Sequence, residues 1–151
     1  MADKRHTTID LADWLHQLDG LSLLAAGADR ADEANLIRLF QNLLERAPNR
    51  SLIEGLQLPD TLHIEALLSF GANDSAALAF LGAEIGYCIS RSGQGAHLFS
   101  VILPRCCDET TASGTTLPLA CLGALAQALA NVAPVQRPQT TVTPLRSNLL
   151  H

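Results

Sequence analysis

The chain of 151 residues is 48% hydrophobic, 17% charged and 4% aromatic, with a formal net charge of −5. This length and apolar content are typical of one globular domain, and the scarcity of aromatic residues predicts a core built mainly from Leu, Ala, Ile and Val. The arginines lie singly along the chain, so we expect no clustered basic face and no direct binding of nucleic acid.

The chain also lacks the patterns of export and of membrane insertion. No long apolar run follows the basic residues near the N-terminus, and no uninterrupted apolar run reaches the roughly 18 residues of a membrane span. We therefore expect a cytoplasmic protein without a membrane partner, in which the four cysteines are reduced thiols.

Residues 8–70 have the hydrophobic spacing of three amphipathic helices. The first ends at Gly20, or its apolar run continues to Leu24 before Gly27, and the third covers residues 61–70 behind a capping Asp60. The buried stripes of the first two helices are Leu11, Trp14, Leu15 and Leu18, then Leu36, Ile37, Phe40, Leu43 and Leu44.

Two consecutive helices invite comparison with a helix-turn-helix DNA-binding motif. The second helix begins in the acidic stretch that contains Asp29, Asp32 and Glu33, which would oppose the phosphates of a DNA backbone. The sequence instead favours amphipathic helices that cover a core.

Residues 74–131 change character and predict a helix, a β-hairpin, a polar loop and a final apolar helix. The first helix is expected over residues 76–84, and the hairpin turns at residues 92–95, which include two glycines. If the hairpin places Cys88 opposite Phe99, this thiol lies in the core.

The last helix begins near Leu117, behind a capping Thr115 or Thr116, and is apolar on every face. A helix of this kind is covered on all sides, so we expect it to lie centrally, between the hairpin and the N-terminal helices. The predicted fold is therefore α+β, with N-terminal helices packed on an αββα unit. Residues 1–131 form one compact domain, and the proline-containing residues 132–151 form an extended tail.

The segment that begins Gly86-Tyr87-Cys88-Ile89-Ser90 and continues through Ala112-Ser113-Gly114-Thr115-Thr116 into the apolar helix resembles the phage ABA-sandwich domains. These are small αββα domains of phage and prophage proteins, and the resemblance covers residues 74–131. It implies an accessory protein of a phage or another mobile element, and it implies no particular activity.

The residues best able to carry chemistry are Cys106, Cys107 and His97, together with the loop of residues 110–116. Arg105 would lower the pKa of a neighbouring thiol, whereas Asp108 and Glu109 would raise it. The alternative interpretation is structural, with one of the two thiols packed inward and the threonines of the loop capping the last helix.

The sequence predicts neither a metal site nor a cofactor. His63 and Glu65 form the His-x-Glu half of a zinc deaminase motif, but Cys106 and Cys107 are adjacent rather than separated by two residues. The loop of residues 110–116 lacks the lysine of a nucleotide-binding P-loop.

Three functional hypotheses remain open from the sequence. The first is a non-enzymatic protein-binding accessory module, which includes association with a second copy of the chain. The second is an enzyme or small-molecule binder with weak catalytic candidates in Cys106, Cys107 and His97. The third is an acidic phage-type inhibitor that covers a host nucleic-acid-binding protein.

Overall fold

The computed structural model describes residues 9–104, 106 and 108–136 and confirms the α+β class. Five helices and three strands follow one another in the order α1 to α4, β1 to β3 and α5. Their bounds are Leu11–Gly27 (α1), Glu33–Glu45 (α2), Thr61–Ser69 (α3), Asn73–Leu78 (α4), Gly86–Arg91 (β1), His97–Ile102 (β2), Thr110–Gly114 (β3) and Leu117–Gln136 (α5). Short 3-10 helices cover Arg30–Asp32 and Arg50–Ile53.

The strands form one antiparallel sheet in the order β1-β2-β3, with β2 in the centre. Phe99 and Val101 of β2 are buried beneath α5, while Ser100 lies on the opposite, open face and exchanges a 2.7 Å hydrogen bond with Thr111 of β3. This alternation gives the sheet one apolar face and one face rich in hydroxyl groups.

Helix α5 packs against β2 and β3 on one side and against α1 on the other. Its residues Leu119–Leu122 and Ala124–Ala126 are fully buried. Gly123 makes this close approach feasible, because a Cβ atom there would already lie 3.4 Å from Cβ of Ala112 and 3.8 Å from Cβ of Ala25. At Gly114 a Cβ atom would lie only 2.7 Å from the amide nitrogen of Ala120, so β3 must end in glycine for α5 to begin beside it.

The N-terminal helices are joined to this unit by specific buried contacts. Trp14 of α1 is fully buried and donates its indole N–H to the carbonyl oxygen of Leu43 in α2 at 2.8 Å. Phe40 of α2 packs edge-on against Phe80, with ring centroids 4.9 Å apart. Helix α1 continues to Gly27, the longer of the two ends that the sequence allows.

The prediction of a two-stranded αββα unit was wrong, because residues 110–114 of the predicted polar loop form β3. Their sequence has no apolar run, and the strand exists through its pairing with β2 and its contact with α5. The segment predicted as one helix over residues 76–84 was also wrong in extent. Helix α4 stops at Leu78, and Leu81 pairs with Leu56 in an isolated bridge.

The hairpin register differs from the predicted one by a single residue. Cys88 pairs with Ser100 rather than with Phe99, and Ile89 takes the place opposite Phe99. A shift of one residue moves a side chain to the other face of a sheet. Cys88 is therefore exposed, and its predicted place in the core was wrong.

The C-terminal end of the described chain is helical. Helix α5 continues to Gln136 and so includes the first residues of the predicted tail, residues 132–151. The rest of that predicted tail lies outside the described residues.

Candidate functional site

A polar cleft with a volume of about 560 Å³ opens at the end of the sheet where β2 begins. Residues from four separate parts of the chain line it, and those with polar side chains are Arg30, Glu33, Asn73, Asp74, Ser75, His97, Thr115 and Thr116. Three of the residues predicted as site candidates, His97, Thr115 and Thr116, therefore do lie together.

The two threonines have different structural roles in the wall of this cleft. Thr116 caps α5, since its hydroxyl oxygen accepts a 3.5 Å hydrogen bond from the amide of Leu119. Thr115 donates its hydroxyl to the carbonyl oxygen of Ala28 at 2.9 Å, immediately after α1. The turn between β3 and α5 is thus fastened to the C-terminal end of α1, which fixes one side of the cleft.

Glu33 supplies a buried carboxylate to the opposite side of the cleft. Its exposed fraction is 4%, and one carboxylate oxygen accepts a 3.0 Å hydrogen bond from the side-chain amide of Asn73. A buried carboxylate needs such donors to offset its lost hydration. Within the described part of the chain, Arg30 forms no ion pair with this or any other carboxylate.

His97 is the first residue of β2 and lies at the end of the sheet where the cleft opens. Its Nδ1 atom is buried and has no hydrogen-bond partner among the described residues. The register that sets Cys88 opposite Phe99 would also pair His97 with Ser90, but His97 lies between Arg91 and Gly114 in the sheet. The imidazole therefore faces the helical side of the sheet, where the cleft is located.

Cys106 does not line this cleft. Cys106 follows the far end of β2, and the six residues of that strand span about 17 Å at about 3.4 Å per residue. Cys106 and His97 consequently do not form a nucleophile and base pair. Cys107 lies outside the described residues.

Glu65 of the deaminase-like pattern has another partner, Arg38. Glu65 accepts hydrogen bonds of 2.8 and 3.0 Å from the guanidinium group of Arg38, and these bonds lower the pKa of its carboxyl group. Across the described ranges, no three His, Cys, Asp or Glu side chains converge as metal ligands. In the same part of the chain, no helix is both long enough and apolar enough to cross a membrane.

A second feature is β1, one of the two outer strands of the sheet, whose six residues are all exposed. Helix α5 packs on β2 and β3, whereas the exposed fractions of Tyr87 and Ile89 in β1 are 52% and 42%. These side chains lie on the same face as Phe99 and Val101. Strand β1 is therefore not covered by helix α5, and the apolar side chains of Tyr87 and Ile89 remain exposed on its helix-facing side.

The hairpin turn shows which backbone groups of β1 are free. Ser92 donates its N–H to the carbonyl oxygen of Ala96 at 2.8 Å. Because inward and outward groups alternate along an antiparallel strand, Ser90 and Cys88 also face β2, while Arg91, Ile89 and Tyr87 present N–H and C=O groups outward. The free edge thus begins at the turn and follows the whole strand.

The sequence contained a weak signal for this edge. It predicted β1 as a strand but did not predict β3, so it could not distinguish an outer strand from an inner one. The exposure of Tyr87 and Ile89 depends on where α5 crosses the sheet, which the local pattern does not encode.

Comparisons of the chain with protein-family models, with curated proteins and with solved structures gave no match.

Proposed function

We propose that this protein is a non-enzymatic protein-binding module that receives an extended segment of a partner on the outer edge of β1. The observation that carries the proposal is the exposure of all six residues of that strand, including Tyr87 and Ile89. Addition of a strand to a sheet edge is a general mode of protein recognition, in which backbone hydrogen bonds provide affinity and alternate side chains provide specificity.

The composition of β1 supports this proposal. Proteins that keep a sheet edge unpaired usually protect it with lysine, proline or a β-bulge. The run Gly86-Tyr87-Cys88-Ile89-Ser90-Arg91 contains neither lysine nor proline, and its six residues pair continuously with β2. The edge is therefore open to another strand.

The proposal is tested by placing a charge on the edge. Ile89→Lys adds a gatekeeper charge to β1, and Ser113→Lys adds the same charge to an exposed position of β3. In quantitative capture from a lysate of the source cells, partners that pair with β1 bind the wild type and Ser113→Lys but are lost with Ile89→Lys. Equal capture by all three proteins would contradict the proposal.

The resemblance of residues 74–131 to phage ABA-sandwich domains adds an expectation about the partner's origin. We expect this partner to come from a phage, another mobile element or its host. The neighbourhood of the gene tests that expectation separately from the binding mode.

The cleft supports a second candidate function, the binding of a small polar ligand. The observation in its favour is the convergence of Arg30, Glu33 and His97 on one cavity. A thermal-shift screen with polar metabolites tests it. A ligand of the cleft raises the melting temperature of the wild type but not that of Arg30→Gln, and a screen without any shift would count against this function.

A further inference from the structure

We infer that the strand received by β1 is β1 of a second copy of this chain, paired antiparallel across a two-fold axis at Cys88. The inference rests on the proposed function and names the partner of that same edge. Pairing of this kind joins the two three-stranded sheets into one sheet of six strands. The β1 strands of both copies then lie in its centre, with their edges paired to each other.

The hydrogen-bonding pattern of β1 fits a copy of itself. The outward groups belong to Tyr87, Ile89 and Arg91, so Tyr87 of one copy forms a hydrogen-bonded pair with Ile89 of the other, and the reverse. Cys88 then lies opposite Cys88 of the second copy as the close, non-hydrogen-bonded pair on the axis. A two-fold axis makes such an interface self-complementary.

The side chains favour this register over its nearest alternative. With the axis at Cys88, each exposed Tyr87 lies against an exposed Ile89 on the helix-facing side of the sheet. Aromatic and β-branched residues are among the more favourable cross-strand pairs. With the axis at Ile89, each Tyr87 would instead lie against Arg91. The exposed side chains of Tyr87 would then be covered less completely by apolar neighbours.

The charges at the two ends of β1 favour a second copy over an unrelated segment. Glu84 precedes the strand and Arg91 ends it, and both are exposed. Among the described residues neither forms an ion pair. Antiparallel pairing brings Arg91 of one copy near the residues that precede β1 of the other, among them Glu84, and it does so at both ends. Opposite charges thus approach each other at both ends of the paired strands, and like charges do not.

Sedimentation equilibrium and disulfide trapping of the full chain test this inference. The wild type is expected to form a dimer whose fraction rises with protein concentration. The variant Ile89→Lys is expected to be a monomer, while Ser113→Lys remains a dimer.

The register is tested by oxidation with diamide, which takes up the two hydrogens released when two thiols join. Opposed Cα atoms of a close antiparallel pair lie about 4.5 Å apart, which is within the range that a disulfide spans. Cys88 therefore forms an intermolecular disulfide, identified by peptide mapping. The matched control is the double variant Cys88→Ser/Ser90→Cys, whose new thiol is on the same face of the same strand but away from the axis. It does not form that bond.

Different results overturn different statements. A monomer at every concentration, or a dimer that persists in Ile89→Lys, overturns the inference of self-pairing. A monomer whose protein partners still depend on Ile89 leaves the proposed function intact. A β1-dependent dimer that is trapped through Ser90→Cys and not through Cys88 overturns the register.

Discussion

At the scale of single residues, the core is held by a few groups whose burial has measurable consequences. Cys121 of α5 is fully buried, and this burial raises the pKa of its thiol well above its ordinary value. Its burial agrees with the sequence, which predicts a last helix that is apolar and covered on every face. Cys88, in contrast, could be placed only by knowing the hairpin register.

The buried thiol predicts a loss of stability at alkaline pH. Above pH 9.0, the ordinary pKa of the group, the thiol ionises in the unfolded chain but keeps its proton in the folded one. Rising pH therefore favours unfolding, by up to about 1.4 kcal/mol per pH unit. Urea unfolding between pH 8 and pH 10 should show a steeper loss for the wild type than for Cys121→Ala, and parallel slopes would contradict this.

Trp14 predicts a second effect at this scale. Trp14→Phe removes the hydrogen bond to the carbonyl oxygen of Leu43 and leaves that oxygen without its buried partner. We expect a loss of about 2 to 4 kcal/mol in the free energy of unfolding, from the lost bond and the smaller side chain. Circular dichroism measures it, because the variant has no tryptophan. His16→Ala, an exposed change on the same helix, should stay within about 0.5 kcal/mol of the wild type.

At the scale of elements, the sequence was most informative where hydrophobic periodicity was strong. The buried stripe of α2 was predicted correctly, and so was the hairpin that β1 and β2 form. In α1, Trp14 and Leu18 are buried as predicted, while Leu11 and Leu15 are only partly buried. The missed strand, β3, has the composition of a loop, Thr110-Thr111-Ala112-Ser113-Gly114, and depends on partners far away in the sequence. Local pattern does not contain that information.

The hairpin turn explains the error of one residue in the register. The turn closes at Ser92 and Ala96, with Gly95 at a φ of +91° and its N–H bonded to the carbonyl oxygen of Ser92. One extra residue on the β2 side moves every later pair by one position. Two glycines indicated a tight turn, but their sequence did not indicate which one takes the positive φ angle.

This turn gives a matched prediction. Gly95→Ala forces a side chain into a left-handed conformation, at a cost of about 1 to 2 kcal/mol. Gly93→Ala meets no atom within 4 Å and no positive φ, so it should be close to neutral. The melting temperatures of the two variants test this prediction, and that of Gly95→Ala should be the lower one. Equal melting temperatures would show that the turn is not built in this way.

At the scale of the whole molecule, the α+β class followed from the succession of patterns, while the cleft and the free edge did not. The cleft joins Arg30, Asn73, His97 and Thr115, which are distant in sequence and meet only after α5 has packed between α1 and the sheet. The edge of β1 is free because this strand is terminal in the sheet, and Tyr87 and Ile89 are exposed because α5 covers the other two strands. Both features are therefore properties of the assembled fold.

The most direct test of strand addition at β1 is amide hydrogen exchange, resolved by residue with NMR, in dilute and in concentrated protein. The amides of Cys88 and Ser90, which bond to β2, should be protected in both samples. Those of Tyr87, Ile89 and Arg91 should exchange quickly in the dilute sample and become protected in the concentrated one. If these three amides exchange freely at both concentrations, β1 does not pair with a second copy of itself.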